Sequence, residues 1–308
     1  IRRPPRSTLD RSSAASDVYK RQVLAGGQGT RLYPSTKVVS KQLLTVYDKP
    51  MIYYPLSILM ISEIKDILII STPQDTPLYK NLLGNGDNYG LNINYMIQEK
   101  PEGIAQAFVI AKDFIGSDNV CLILGDNIFY GNGLSKLLKK SIKNCKDHNK
   151  ATVFGYYVND PERYGVVSFD PNRKVTKIEE KPSSPKSNYA VTGLYIYPNS
   201  VIDIATRTKK SNRGEYEISD INNVYLGLKK LIVELLDKDF VWLDTGTHES
   251  MLEASNFIKA IENRQGSKIA CLEEIAYKKN YISKIELQKI IESIKNSEYG
   301  IYLRDKVL

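Results

Sequence analysis

Short apolar runs alternate with longer amphipathic stretches along the chain from Val23 onward. The runs at 67–71 (ILIIS), 94–97 (NYMI) and 120–124 (VCLIL) read as strands, and helical patterns fill 51–61, 76–83, 103–114 and 134–145 between them. Near-continuous β-branched strands are those buried on both faces, so this stretch predicts a mostly parallel sheet with helices on either side. Beyond Ala151 the strand-like runs come closer together, at 152–157, 165–169, 175–179 and 192–197. That spacing leaves no room for a helix between each pair and predicts a small, partly antiparallel β insertion. A further strand at 240–243 is followed by helices at 247–263 and 283–297, and Tyr53, Tyr54 and Met60 recur at helical spacing as core positions. The expected fold is α/β: a Rossmann-like mixed, mostly parallel sheet covered by helices on both faces, with a C-terminal helical appendage.

The pattern also sets domain limits. Residues 1–22 (IRRPPRSTLDRSSAASDVYKRQ) have neither helical nor strand periodicity and are rich in Arg, Ser and Pro. They read as a non-native or disordered leader rather than as a basic targeting arm, because Lys20-Arg21-Gln22 stands where the first strand wants apolar residues. The α/β domain is expected over 23–268 and the helical appendage over 269–308. The appendage carries Ile275, Ile282, Ile285, Leu287, Ile290, Ile291 and Ile294, more apolar side chains than a solvated tail needs, which raises the expectation of subunit assembly through these helices.

Charge and cysteine content narrow the function classes. The chain of 308 residues carries a net charge of +8, but half of that excess comes from the leader, where Arg2, Arg3, Arg6, Arg11, Lys20 and Arg21 face only Asp10 and Asp17. The dispersed remainder suits small anionic substrates, and without a basic stripe interleaved with aromatics no nucleic-acid partner is expected. Cys121, Cys145 and Cys271 are odd in number, far apart and without a CxxC pair. They imply reduced thiols in a cytoplasmic protein rather than a disulfide framework or a zinc site. No apolar run reaches the roughly 18 residues of a membrane helix, so no membrane partner is expected.

The strongest chemical signal is the turn "VLAGGQGTRL" at 23–32. It fails the dinucleotide fingerprint, since Leu32 stands where the third glycine of G-x-G-x-x-G belongs, and it fails the G-x-x-x-x-G-K-[ST] phosphate loop. A glycine turn between strand and helix still offers backbone N–H groups to phosphate, and Arg31 and Lys41 add cations to it. Asp126 follows the strand 120–124 in "LGDN", and Asp244 ends "WLD" after a second apolar run. Both therefore stand at strand ends, where α/β sheets bind ligands. Two hard carboxylates with substrate phosphates and waters suit Mg²⁺, although either Asp alone could be a turn or cap residue. His148 and His248 are the only histidines and no GxSxG elbow is present, so a nucleophilic triad is unsupported.

These residues resemble the sugar-phosphate nucleotidyltransferase family, and within it the glucose-1-phosphate thymidylyltransferases. The similarity rests on "AGGQGTRLYPSTKVVSKQLLTVYDKPMIYYPLS", "LIISTPQDT", "LGDNIFYG", "DPERYGVV", "EEKPSSPKSNYAVTGLY" and "WLDTGTHESMLEASNFI", in the family's order from Val23 to the C-terminal helices. It implies transfer of a thymidylyl group from dTTP to glucose 1-phosphate, giving dTDP-glucose and pyrophosphate, the first step of dTDP-rhamnose-type deoxysugar synthesis. By the same resemblance Gly26, Gly27, Gly29, Thr30 and Arg31 wrap the triphosphate and Lys41 holds the reacting phosphoryl group. Gln98 reads the pyrimidine edge with Pro101 and Gly103 closing that side and Gln42 nearby. Glu180 takes the sugar hydroxyls, Lys181 the sugar phosphate, and Asn127, Tyr164, Gly165 and Val191 line the sugar pocket. Asp126 and Asp244 ligate Mg²⁺, with Arg31, Lys41 and Asp126 carrying the catalysis. The resemblance further implies a homotetramer with dTDP-rhamnose feedback.

Two alternatives stay open at this point. The uridylyl relatives typically read K-E-M-L where this chain has Lys41-Gln42-Leu43-Leu44, which favours dTTP over a UTP-using glucose-1-phosphate uridylyltransferase. A non-catalytic nucleotide-sugar sensor has no need to keep Lys41, Asp126, Lys181 and Asp244 together. The chain departs from the family pattern at Thr45 and Leu272, where proline is common, and at Lys20-Arg21-Gln22.

Overall fold

The glycine turn leaves the end of a central strand in the computed structural model, which describes residues 20–27 and 29–308. That strand is β1 (Lys20–Leu24), followed by the two-residue arms β2 (Thr45–Val46) and β3 (Lys49–Pro50), then α1 (Tyr53–Ile61), β4 (Asp66–Ser71), α2 (Thr76–Leu83) and β5 (Asn92–Ile97). Next come α3 (Gln106–Ile110), α4 (Lys112–Ile115), β6 (Val120–Leu124), β7 (Asn127–Gly131) and α5 (Leu134–His148). The second half holds β8 (Ala151–Tyr157), β9 (Gly165–Phe169), β10 (Val175–Glu180), β11 (Tyr189–Tyr197), α6 (Val201–Arg207), α7 (Ile218–Gly227), β12 (Leu231–Leu235) and β13 (Phe240–Asp244). Helices α8 (His248–Gln265), α9 (Leu272–Lys278), α10 (Lys284–Ser293) and α11 (Glu298–Tyr302) finish the chain.

The main sheet is mixed. β5, β4, β1 and β6 run parallel, with β1 registered between β4 and β6, and β11 joins β6 antiparallel. β9 and β10 extend one branch from β11, while β8 and β12 form another. Alternate side chains enter separate cores. Val23, Ile67, Ile69 and Ile123 pack on one face with α1 and α2, and Leu24, Leu68, Ile70 and Leu122 pack on the other with α3, α6 and α7. That two-sided burial is the physical reason for the unbroken apolar runs.

Several boundaries differ from the pattern. The helix expected over 103–114 is broken at Ala111 into α3 and α4, and that over 283–297 stops at Ser293. β7, β12, α6 and α7 gave no legible signal of their own. Asp244 does not end a strand of the main sheet: β13 pairs with β7 in a separate two-stranded ribbon. Most of the leader lies outside the described residues; its last part, Lys20 to Gln22, begins β1.

The C-terminal helices bury their apolar side chains in their own subunit. Ile282, Leu287 and Ile291 join the α1-side core, Ile275, Ile290 and Ile294 pack against it, and of these seven only Ile285 stays well exposed. Most of the apolar side chains that raise the expectation of assembly therefore pack within the subunit. The docking also buries Glu273, which accepts a hydrogen bond from the Tyr299 hydroxyl at 2.6 Å, and burial pushes its carboxyl up. Tyr299→Phe removes the Tyr299 hydroxyl donor from that buried carboxyl and should lower the unfolding free energy by about 1–3 kcal/mol. An unchanged denaturant midpoint would show that docking does not depend on this bond.

Candidate active site

The turn after β1 needs its glycines. Gly27 and Gly29 have φ of 113° and 57°, and a Cβ on Gly26 would come within 2.5 Å of Gln98 Oε1. Gly26, Gly27, Gly29 and Thr30 form one wall of an open cleft of about 390 Å³; Leu24, Gln98, Pro101, Gly103, Ile104 and Glu215 complete it. The 101–105 segment is clamped onto the far side of the cleft, for Tyr216 donates its N–H to Glu102 O at 2.7 Å and a Cβ on Gly103 would strike Tyr216 O. Gln98 thus lies against Gly26 on the cleft wall, and Gly103 lines the same cleft.

Gln42 is placed differently. It is buried behind the turn, donates from Nε2 to Gly26 O at 3.4 Å, and accepts at Oε1 from Ser40 Oγ at 2.8 Å. Its amide supports the loop from the rear and does not line the cleft.

The two aspartates meet through the ribbon. Pairing of Asp244 with Asn127 sets Asp244 beside Asp126, and Thr245 locks the junction by donating both its N–H and its hydroxyl to Asp126 O, at 3.2 and 2.8 Å. Lys41 Nζ forms an ion pair with Asp126 Oδ2, and Asn127 Nδ2 donates to Asp126 Oδ1 at 2.9 Å. Burial acts to raise the Asp126 carboxyl, but the Lys41 charge and these hydrogen bonds outweigh it and hold the carboxyl low. Asp244 moves the other way: burial and the Asp126 charge push it up against the pull of Lys41, Arg31 and Arg163. A pair of carboxylates in which one raises the other is a site short of positive charge. Among the described residues no third His, Cys, Asp or Glu joins them as a ligand cluster. Two adjacent carboxylates, leaving phosphates and water to complete the shell, match the sparing protein ligation of Mg²⁺, so the donor set fits that ion.

Arg31 reaches this centre, since its Nη2 lies 2.9 Å from where a Gly246 Cβ would sit, next to Asp244 Oδ2. Arg163, which the sequence reading did not single out, brings Nη2 to 3.6 Å from the same oxygen, and that nitrogen is buried without a hydrogen bond. The only hint was its place in "DPERYGVV", directly before Tyr164.

The residues expected to line the sugar pocket run from Asp244 to Glu180. The Tyr164 hydroxyl lies 3.5 Å from Asp244 Oδ2, and its ring packs edge-on against Trp242 at 5.1 Å. Gly165 adjoins Val191 and the Glu180 carboxylate, and Ser219 Oγ donates to Glu180 Oε2. Asn127 has both ends of its amide engaged: Oδ1 accepts from Gly193 N at 2.9 Å and Trp242 Nε1 at 2.6 Å while Nδ2 holds Asp126. Lys181 takes φ of 43°, unusual for a side-chain-bearing residue, and its N–H donates to Tyr164 O at 2.9 Å. Backbone strain held by surrounding structure is often found where a side chain must be aimed. His248 is exposed at the start of α8, beside Tyr33 O at 3.3 Å, and takes no part in the cleft.

Known proteins resemble this chain in sequence and in fold. The profile of the family described as Nucleotidyl transferase matches residues 20–261. A glucose-1-phosphate thymidylyltransferase of Neisseria meningitidis is 53% identical over 281 residues, covering 91% of this chain and 96% of that protein. The Mycobacterium tuberculosis protein of the same name is 50% identical over the same shares. A Bacillus anthracis crystal structure, described as a candidate glucose-1-phosphate thymidylyltransferase in complex with a sucrose, superposes with a TM-score of 0.72 at 42% identity. It covers 78% of this chain and 95% of that one. A UDP-glucose pyrophosphorylase complexed with UDP-glucose shares the fold at a TM-score of 0.70 and 23% identity, covering 79% of this chain and 99% of its own.

Proposed function

The chain belongs to the nucleotidyl transferase family, and from that premise we propose that it transfers a thymidylyl group from dTTP to glucose 1-phosphate. The products are dTDP-glucose and pyrophosphate. The observation that carries the reading is the convergence of Lys41, Arg31, Asp126 and Asp244 beside the glycine turn, whose residues wall the cleft. A sugar-phosphate oxygen attacks the α-phosphorus as the bond to the pyrophosphate oxygen breaks. That oxygen is already anionic, so no general base is required, and the residues act by positioning and by cancelling charge.

In this reading Gly26, Gly27, Gly29 and Thr30 offer the triphosphate their backbone while Arg31 and Lys41 neutralise it. Gln98, Pro101 and Gly103 take the pyrimidine. Glu180 meets the sugar hydroxyls, Lys181 the sugar phosphate, and Tyr164, Gly165 and Val191 shape the pocket. Gln42 and Asn127 support the loop and Asp126 from behind. Asp126 and Asp244 would hold Mg²⁺, which would supply the positive charge that lets the two phosphates approach. The three cysteines of the chain are buried and none is in a disulfide, which supports a reducing, cytoplasmic setting. A homotetramer with dTDP-rhamnose feedback, and a place at the head of deoxysugar synthesis, follow from the family resemblance and belong to the same proposal.

Pyrophosphate release with glucose 1-phosphate, Mg²⁺ and each nucleoside triphosphate tests it. dTTP is expected to exceed UTP in kcat/KM by about tenfold, the scale of one methyl group in a fitted pocket. Equal or faster turnover of UTP would move the chain to uridylyl transfer. Absence of turnover with every nucleotide would leave a sensor.

A further inference from the structure

A relay of side chains behind the base pocket has its donors and acceptors fixed from the surface inward. Lys210 Nζ donates to Glu102 Oε1 at 2.6 Å, and that contact holds the Glu102 carboxyl below the usual glutamate range. A carboxylate only accepts, so Glu102 Oε2 takes its hydrogen bond from Gln106 Nε2, at 3.2 Å. Gln106 must therefore turn its oxygen the other way. That Oε1 accepts from the Glu102 backbone N–H at 3.4 Å and from Gln98 Nε2 at 2.7 Å. Gln98 is 2% exposed, so its amide answers to these partners rather than to bulk water. Its Oε1 accepts from no described residue and lies against Gly26 on the cleft wall.

We propose that Gln106 is a specificity-determining positioning residue: by capturing Gln98 Nε2 it fixes which end of that amide meets the base, and so selects thymine or uracil over cytosine. The inference rests on the nucleotidyl-transfer reading and deepens it. Thymine and uracil present an N3–H donor beside carbonyl acceptors. Cytosine presents an N3 acceptor beside an amino donor. A primary amide complements the first pattern in one orientation and the second when turned over by half a rotation. As held, Gln98 offers Oε1 to N3–H and keeps its second Nε2 hydrogen for a carbonyl. To receive cytosine it must flip, which sets its Oε1 against Gln106 Oε1 with no proton between them. Gln106 cannot flip in turn, because its oxygen would then meet the Glu102 carboxylate. The penalty falls on cytosine alone, and the relay is blind to the C5 methyl group.

Calorimetric titration of dTTP and dCTP into the full chain tests this, with KM for glucose 1-phosphate as a control. Gln106→Leu frees Gln98 to flip and should shrink the dTTP-to-dCTP affinity ratio by about tenfold, the effect of one unpaired buried polar contact, with the sugar-phosphate KM unchanged. The exchange variant Glu102→Gln/Gln106→Glu rebuilds the polarity, since a carboxylate at position 106 can only accept, from Gln98 on one side and from the new amide on the other. It should restore the wild-type ratio. A merely structural role would weaken both nucleotides alike and would not be rescued by the exchange. An unchanged ratio in Gln106→Leu, or an exchange variant no better than Gln106→Leu, overturns the proposal while leaving thymidylyl transfer standing. A wild-type chain that does not prefer dTTP to dCTP brings down both.

Discussion

Asp126→Asn is expected to lower turnover by at least about 10²-fold in a protein that still folds, and Asp244→Asn to do the same, the scale of losing one preorganised electrostatic contact. Both changes keep side-chain shape and remove charge. The Asp126 backbone stays held by Thr245 and its side chain by Asn127, so the chain keeps its fold at assay temperature. What is lost is the anion that pairs with Lys41 and faces Asp244. Lys41→Ala should fall by a similar factor, because the same ammonium would serve the transferring phosphate. The two aspartates separate in the metal-free protein. Asp244→Asn removes one of two facing like charges and should raise the melting temperature, whereas Asp126→Asn strips Lys41 of its counter-ion and should lower it. Pyrophosphate release and thermal unfolding without added metal read the two effects. Near-normal turnover in both variants would remove the metal assignment.

Much of this centre was legible because its residues sit in contiguous motifs. The strand at Val120–Leu124 followed by Gly-Asp-Asn announces a ligand-facing loop, and the glycine turn with Arg31 announces phosphate. Parallel strands with two buried faces write themselves as apolar runs, so β4 and β6 were readable to within a residue. β7 was not. It is a short arm of a two-stranded ribbon whose partner lies more than a hundred residues away, and no local period records that pairing. The same ribbon brings Asp244 to Asp126, which is why strand-end logic found the residue but put it in the wrong sheet. Gln42 and Asn127 carry the right chemistry for ligands, yet the fold spends their amides on Gly26, Gly193 and Trp242. Sequence gives the donors and acceptors a residue owns, and only packing decides where they are used. Arg163, Gln106 and Glu102 escaped for the converse reason, since each is an ordinary polar residue until a long-range neighbour gives it a role.

The poor opening of the first strand has a structural counterpart, and it yields the largest expected gain in stability. Gln22 stands in the central strand between Leu68 of β4 and Leu122 of β6, on the face that also holds Leu24, and is fully buried. Neither its Oε1 nor its Nε2 finds a hydrogen-bond partner among the described residues. An unsatisfied buried amide costs about 1–3 kcal/mol, and a leucine of similar length would add favourable apolar burial at the same place. Gln22→Leu should therefore raise the unfolding free energy by about 2–4 kcal/mol, with the melting temperature rising roughly 2–4 °C per kcal/mol. Gln22→Ala separates the two contributions. It removes the orphaned amide but leaves a void beside Leu68 and Leu122, so its gain should be smaller or absent. Turnover at low temperature should stay unchanged in both, because Val23 and Leu24 still carry the strand into the glycine turn. A lower melting temperature for Gln22→Leu would mean that the amide is satisfied within the sheet after all, and that the polar residue belongs where it stands.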